Sequence, residues 1–329
     1  MTWMDAYRRA LDSDAPAAGY YHRNIPATVA GTKVIIRIPI HRAESMDLRM
    51  WQEPEIMRAI EGRVPHVPRL LHASRDPSFQ VHEFIEGRLL HEVAPRGTPV
   101  PEHVLTDTVA LFVALSRLTA AHLPPAPAHW PCDGDTAGFA QRINADSHRI
   151  HEATKTANAA LYRRLRIPED PFAPLRERWD TMTSRPFALA HTDVHRKNII
   201  LSGGHSCFLD WELALLADPV YEFATHLHKT AYLPHERRAL VDLWSSALPG
   251  DATVGYAADL EAYLAHEQIK SVLVDAVRYA RAFADAPAPY PPDVMVAKLA
   301  EMLAIARGHW GITASVDKVE VEAALRAQP

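Results

Sequence analysis

His191-Thr-Asp193-Val-His195-Arg-Lys-Asn198 and Phe208-Leu-Asp210-Trp-Glu212 place a carboxylate able to act as a base and two oxygen ligands at the ends of one short hairpin. Ile199 to Ser202 and Ser206 to Leu209 are apolar runs rich in strand formers, separated by Gly203-Gly204-His205. The pattern predicts two antiparallel strands centred on Gly204, with Ile199 facing Leu209, Ile200 facing Phe208 and Asn198 facing Asp210. Directly opposed residues have Cβ atoms roughly 5 Å apart. An amide oxygen and a carboxylate at that separation can share one hard cation. Mg²⁺ suits such sparse protein ligation, because it completes its shell with phosphate and water. Asp193 then lies on the loop leading into the site.

The ordered set His191-x-Asp193-x-x-x-x-Asn198, an apolar hairpin and Asp210-Trp-Glu212 resembles the catalytic and metal loops of aminoglycoside phosphotransferases and related small-molecule kinases. These are distant cousins of protein kinases, whose corresponding signatures are the His-Arg-Asp loop with its Asn, and Asp-Phe-Gly. His195, two residues after the aspartate, fits the antibiotic-kinase branch. So does Ala217-Asp218-Pro219-Val-Tyr-Glu222, except for Ala217 where that branch has glycine. The resemblance is strongest over residues 185 to 230 and patchier, though ordered, from 20 to 90. It implies an α+β, bilobal, protein-kinase-like fold. Residues 1–86 would form a nucleotide-binding lobe of five strands and one helix. Residues 87–329 would form a larger, mainly helical catalytic and acceptor-binding lobe, with a helical insert at about 132–170.

Composition agrees with that class. The chain has 329 residues, 48% hydrophobic and 23% charged, which is globular rather than disordered and enough for one large or two moderate cores. A net charge of −5 does not suggest a nucleic-acid partner. Cys132 and Cys207 have neither metal-ligand spacing nor a disulfide framework, and Cys207 reads as a packed small hydrophobe. No apolar stretch approaches a membrane span, and Met1 to Asp14 carries charges where a signal peptide needs an apolar run. The expected setting is the cytoplasm.

The elements that must position the site read as follows. Tyr20 to Val29 and Thr32 to Pro39 are expected strands joined at Ala30-Gly31. Asp47 to Ile60 has helical spacing, and Arg69 to Ala73 and Phe79 to Phe84 are strand-like around Arg75-Asp76-Pro77. By the resemblance, Arg37 stands where the family has the lysine that holds the nucleotide phosphates, with Lys33 on the same strand face as the alternative. Glu53 aligns with the acid that pairs with that cation, Glu55 being the fallback. Pro54 favours a helix beginning near Glu53, where proline suits the first turn. Gln80 to Gly87 resembles the hinge, which implies that the Glu83 carbonyl and the Ile85 amide meet the purine, with His82 guarding the pocket behind it. Gly19 to Asn24 lacks the glycines of a protein-kinase phosphate loop, so backbone amides with Arg23 or Asn24 are the expected phosphate cover. ATP is the implied co-substrate, with GTP not excluded, and Mg²⁺ the implied metal.

Beyond Leu89 the pattern is helical. Glu102 to His122 reads as a buried helix, 136 to 165 as a polar helical insert, and Asp218-Pro219 as the cap of a helix over Val220 to Thr230. Trp211 is expected to pack on that helix, and His191 to fix the loop by hydrogen bonds. The resemblance also implies that His195 approaches the γ-phosphate and Glu212 stands near the metal. The implied reaction is transfer of a γ-phosphate to a hydroxyl of an antibiotic-like natural product, giving resistance by inactivation. Residues 220 to 290 hold nine acids against six Lys and Arg, and Glu267 and Asp275, on one expected helix, are the best candidates for a cationic acceptor. A metabolic kinase for choline, homoserine or a sugar is the first alternative, with Tyr256, Tyr263, Tyr279 and Phe283 as part of a choline cage. A nucleotide-binding pseudokinase is the second, and the arginine at 37 is the only departure that speaks for it.

Overall fold

A computed structural model describes residues 2–13, 22–40, 49–284 and 290–327. The expected strand residues Tyr20 and Tyr21, loop residue Gly19 and helix start at Asp47 lie outside these. In chain order, the first elements are α1 (Trp3–Leu11), β1 (His22–Val29), β2 (Thr32–Pro39), α2 (Glu53–Ile60), β3 (Leu70–Arg75), β4 (Ser78–Glu83), β5 (Arg88–Leu89), α3 (Leu90–Val93) and α4 (Glu102–Ser116). There follow α5 (Thr136–Lys155), α6 (Ala159–Leu165), α7 (Arg176–Trp179), β6 (Ala188–Ala190), β7 (Ile199–Ser202), β8 (His205–Phe208), β9 (Leu215–Ala217) and α8 (Pro219–Thr230). The chain closes with α9 (Pro234–Ala247), α10 (Gly250–Thr253), α11 (Tyr256–Ala284), α12 (Pro292–His309) and α13 (Lys318–Arg326).

The first sheet is antiparallel, in the order β1-β2-β4-β3. Among the described residues it has four strands rather than the five expected, and α2 follows its second strand. The described segment ahead of β1 is the helix α1. A capping box that sequence reading passed over starts α1: the Asp5 amide donates to Thr2 Oγ1 at 3.2 Å, and the Thr2 amide to Asp5 Oδ2 at 2.9 Å. Such a cap stabilises a helix by about 1 kcal/mol.

Period-two alternation gives the sheet two faces. Val34, Ile36, Val81 and Phe79 are buried with Ile25, Val29 and, from α1, Ala6 and Ala10. The pairings Arg37↔Gln80 and Ile35↔His82 put the polar residues of β2 and β4 on the opposite face. Helix α2 begins at Glu53 with Pro54 in its first turn, as the proline requires. Glu55 Oε2 accepts from the Gln52 amide at 3.1 Å and so caps this helix.

The hairpin of β7 and β8 corrects the expected register by one residue. Ile199 pairs with Phe208, Ile200 with Cys207 and Ser202 with His205, around a two-residue turn of Gly203 and Gly204 with φ of 56° and 83°. Positive φ at both positions is what a tight antiparallel hairpin demands and glycine supplies, so the turn needs no third residue. Asn198 therefore faces Leu209, whose amide donates to the Asn198 carbonyl at 2.9 Å, and Asp210 lies one step beyond. Asp218 Oδ1 accepts from the Val220 amide at 3.0 Å, the cap expected for α8. The long buried helix α4 stops at Ser116, short of His122.

The chain divides into two compact units, one of residues 1–130, 186–222 and 229–253, the other of 131–185, 223–228 and 254–329. A boundary at residue 86 falls inside the first unit, and the helical insert falls in the second. The second unit packs α5, α6, α7 and α11 to α13 around Phe139, Trp179, Tyr263, Leu299 and Leu303. Among the described residues, no helix is long and apolar enough to cross a membrane.

Candidate active site

The sheet face opposite α1 carries the first half of the site. Arg37 is buried, and its Nη2 lies 3.3 Å from Glu53 Oε2 and 2.7 Å from Asp210 Oδ1. Burial alone would discourage the charge, but Glu53, Asp210 and Glu212 overcome it and hold the guanidinium above its ordinary value. Burial likewise opposes ionisation of Glu53, and Arg37, His82 and His22 outweigh it, so its carboxyl is depressed. Glu53 Oε2 also accepts from Gln80 Nε2 at 3.1 Å, and Oε1 from the Trp211 amide at 3.1 Å. Gln80 Oε1 bonds His82 Nε2 at 2.8 Å, and burial lowers His82 to about 4, so this ring is neutral and donates. His22 Nδ1 stands 3.3 Å from Glu212 Oε2 and from Arg37 Nη2. Burial raises Glu212. Lys33 is exposed and paired with Glu86, away from this cluster.

The second half is the loop from His191 to Asn198. His191 is buried against Trp211, with ring centroids 4.4 Å apart, and burial keeps it neutral. Its Nε2 donates to the Leu209 carbonyl at 3.0 Å, and its Nδ1 accepts from the Asp193 amide at 3.3 Å. Asn198 Nδ2 donates to Asp193 Oδ2 at 2.9 Å and to the Asp193 carbonyl at 3.0 Å. Spending the amide nitrogen this way leaves the Asn198 oxygen for a cation. Lys229 Nζ lies 2.7 Å from Asp193 Oδ1 and from the Thr192 carbonyl. Burial would raise Asp193, but Lys229 and His195 depress it, so it is ionised. His195 Nε2 lies 3.6 Å from Asp193 Oδ2, with the ring kept neutral by burial.

Two backbone positions show how tightly the loop is held. Thr192 has φ of 59° and Asp210 of 66°, a conformation that costs a non-glycine residue of order 1 kcal/mol or more. Glu222 Oε2 accepts from the Thr192 amide at 2.6 Å and Leu213 O from Thr192 Oγ1 at 2.8 Å, which fixes the first of them. Buried Arg196 ties the loop down through the carbonyls of Ala94, Pro95, Thr98 and Thr230 at 2.6 to 3.2 Å.

At the expected hinge, the Glu83 amide is taken by the Arg69 carbonyl at 2.9 Å, and its carboxylate accepts from Arg69 at 3.2 Å. Ile85 lies in the link from β4 to β5. Gly87 ends that link where no side chain fits, since a Cβ there would overlap the Leu201 carbonyl and sit 2.6 Å from Ile200 Cγ2.

The structure thus brings together Arg37, Glu53, Asp210 and Glu212, and separately Asp193, His195 and Asn198, joined through residues 208–210 of the hairpin. Glu267 and Asp275 belong to the other unit. Glu267 is buried against Lys270 and His266, and Asp275 is bonded by Lys298 at 3.0 Å and Arg278 at 3.1 Å. Sequence reading passed over Lys229 and the side chain of Gln80, and it named Glu222 as part of the motif after Asp218-Pro219 without the contact it makes to Thr192. Only Lys229 and Glu222 left a trace, since seven residues is two helical turns and puts them on one face of α8.

A family profile of the APH phosphotransferase enzyme family matches residues 15–255. No curated protein matches the chain. Solved structures share its fold. One is a choline/ethanolamine kinase family protein from Mesorhizobium loti, 16% identical, covering 94% of this chain and 90% of that one, TM-score 0.57. A second, from Ralstonia eutropha JMP134 and provisionally designated an aminoglycoside phosphotransferase, is 15% identical over 88% and 90% of the two chains, TM-score 0.62. A third is a thermostable mutant of aminoglycoside phosphotransferase APH(4)-Ia in ternary complex with ADP and hygromycin B, 16% identical over 90% and 92%, TM-score 0.55. The chain shares the protein-kinase-like fold of these structures and belongs to the APH phosphotransferase enzyme family.

Proposed function

We propose that this protein moves the γ-phosphoryl group of ATP to a hydroxyl of an antibiotic-like natural product of low positive charge, inactivating it and so giving resistance. The observation that carries the reaction is the Asp193 carboxylate, ionised and held at one oxygen by Asn198 and at the other by Lys229. In the transfer, the acceptor oxygen forms a bond to γ-phosphorus while the bond to the β-phosphate oxygen breaks and ADP leaves with the electron pair. The acceptor proton passes to Asp193. A loose phosphoryl-transfer transition state needs positioning and charge neutralisation more than basicity, so a depressed aspartate suffices.

The donor set of Asn198 and Asp210, an amide oxygen and a carboxylate, fits Mg²⁺. Bound there, the ion would neutralise the nucleotide phosphates. Arg37, paired with Glu53, holds the α- and β-phosphates, and its Nε, buried with no partner among the described residues, supplies a donor for them. The Glu83 carbonyl and Ile85 amide receive the adenine, and His195 faces the γ-phosphate. The ADP in a structural relative supports the choice of nucleotide.

For the acceptor, the acids that would suit a polycation are matched inside their own unit. Asp259 is bonded to Arg185 at 2.7 Å, Glu267 to Lys270, and Asp275 to Lys298 and Arg278. A choline cage finds less support. Tyr263 is buried against Phe139 and Trp179, Tyr279 lies under Lys298 and Phe283 under Arg326. Both cysteines are free, in keeping with the cytoplasm. The test is mass spectrometry of neutral, cationic and choline-type alcohols incubated with protein, Mg²⁺ and ATP. A gain of one phosphoryl group on neutral antibiotics is expected. Transfer confined to choline-type or polycationic acceptors would overturn the acceptor assignment.

A further inference from the structure

We infer that Lys229 is the positioning residue for the catalytic base, and that the reaction depends on helix α8 as much as on the loop that carries Asp193. The inference rests on Asp193 being that base. Three contacts carry it. Lys229 Nζ bonds Asp193 Oδ1 and the Thr192 carbonyl, each at 2.7 Å, so one ammonium spans the side chain of the base and the backbone just before it. Two turns earlier on the same helix, Glu222 takes the Thr192 amide at 2.6 Å. Helix α8 therefore holds residues 192 and 193 through backbone donor, backbone acceptor and side chain together.

The partition of the carboxylate shows what this does. Asn198 holds Oδ2 from within the loop, and a single contact of that kind leaves the group free to turn about its Cβ–Cγ bond. A second contact at Oδ1 from an independent element stops the rotation. Oriented this way, the carboxylate meets the acceptor hydroxyl without reorganising at the moment of transfer, and misplacement by about 1 Å can cost on the order of a hundredfold in rate. Lys229 stays an ammonium throughout, while the acceptor proton goes to Asp193. A charged partner also makes the contact stronger than a neutral hydrogen bond would be. Lys229 is about a quarter exposed, so its truncation leaves no sealed cavity, and its role is separable from packing.

The experiment compares full-length wild type, Lys229→Met, Lys229→Arg and Asp193→Asn. Turnover is read as ADP formation from MgATP with whichever panel alcohol is phosphorylated, or with water as acceptor, and crystal structures are determined with ADP bound. Lys229→Met is expected to lower kcat on the order of thirtyfold, with KM for MgATP within about threefold of wild type. Arginine at 229 is expected to restore most of the loss, and Lys229→Met to show the Asp193 carboxylate turned from its wild-type orientation. Three results would overturn the inference: an unchanged kcat in Lys229→Met, an arginine variant as impaired as methionine, or an Asp193 carboxylate unmoved in the Lys229→Met crystal. Full turnover by Asp193→Asn would instead sink the assignment of the base itself, whatever the lysine variants do.

Discussion

Glu53 accepts from the guanidinium of Arg37 and from Gln80 at one carboxylate oxygen and from the backbone amide of Trp211 at the other. One side chain at the start of α2 thus couples the cation on β2 to the backbone immediately after Asp210. An amide in its place has only one acceptor oxygen, so Glu53→Gln must turn a donor toward either Arg37 or Trp211. Breaking a buried ion pair in this way destabilises by about 3 kcal/mol. Urea unfolding is expected to show that loss together with raised KM for MgATP. A loss below about 1 kcal/mol would mean the pair is not the tie described.

Arg37 and Lys33 share a strand face, but only Arg37 is buried among acids, while Lys33 sits in an exposed pair with Glu86. Arg37→Met should weaken MgADP binding by about tenfold to a hundredfold, the worth of charge-assisted hydrogen bonds to phosphate. Lys33→Met should stay within about twofold, as surface pairs do. Calorimetric titration decides, and the reverse ranking would move the phosphate contact to Lys33.

Asp210 and Asn198 offer the two hard oxygens of the hairpin end. Their replacement by Asp210→Asn and Asn198→Ala should abolish the dependence of nucleotide affinity on Mg²⁺. The readout is the ratio of ADP dissociation constants with the metal and with a chelator. A ratio equal to the wild-type value in either variant would remove that residue from the metal site.

Glu222 is buried, which pushes its carboxyl up from 4.5 to about 7 although the Thr192 amide and Lys229 oppose the shift. The folded protein therefore binds this proton more tightly than the unfolded chain does. The stability it contributes is full below 4.5 and is lost as pH rises through about 7. The loss is on the order of 3 kcal/mol. Glu222→Gln keeps an acceptor for Thr192 and removes the titration. Its unfolding free energy should exceed that of wild type at about pH 8 and match it at about pH 4. Equal pH dependence in both proteins would rule this group out.

Much of this site could be read from the letters because its parts are local. Asp193, Asn198 and Asp210 lie along one loop and one hairpin, so spacing and strand pattern bring them together. Arg37 and Glu53 are ordered by their elements, and Pro54 marks where α2 begins. The hairpin register came out one residue off because a pair of glycines closes a two-residue turn, while the sequence offered His205 as a third. The contacts of Lys229, Glu222 and Gln80 stayed hidden because their partners lie 36, 30 and 27 residues away, and no periodicity encodes such a pairing, although Glu222 itself stood in the motif after Asp218-Pro219. The order β1-β2-β4-β3 is likewise set by packing rather than by strand patterning. Helix α1 had a local signal in Thr2 and Asp5, but a short capped helix with few apolar residues resembles an ordinary polar leader.

The central claim is that Asp193 serves the chemical step and not nucleotide binding, and one comparison tests it most directly. Turnover of a phosphorylated acceptor and the MgADP dissociation constant are measured side by side for wild type and Asp193→Asn. Turnover is expected to fall by at least about a thousandfold with MgADP affinity within about threefold, since the contacts proposed to hold the nucleotide come from Arg37, Asn198 and Asp210. Retained turnover, or loss of MgADP binding in parallel with turnover, would contradict it.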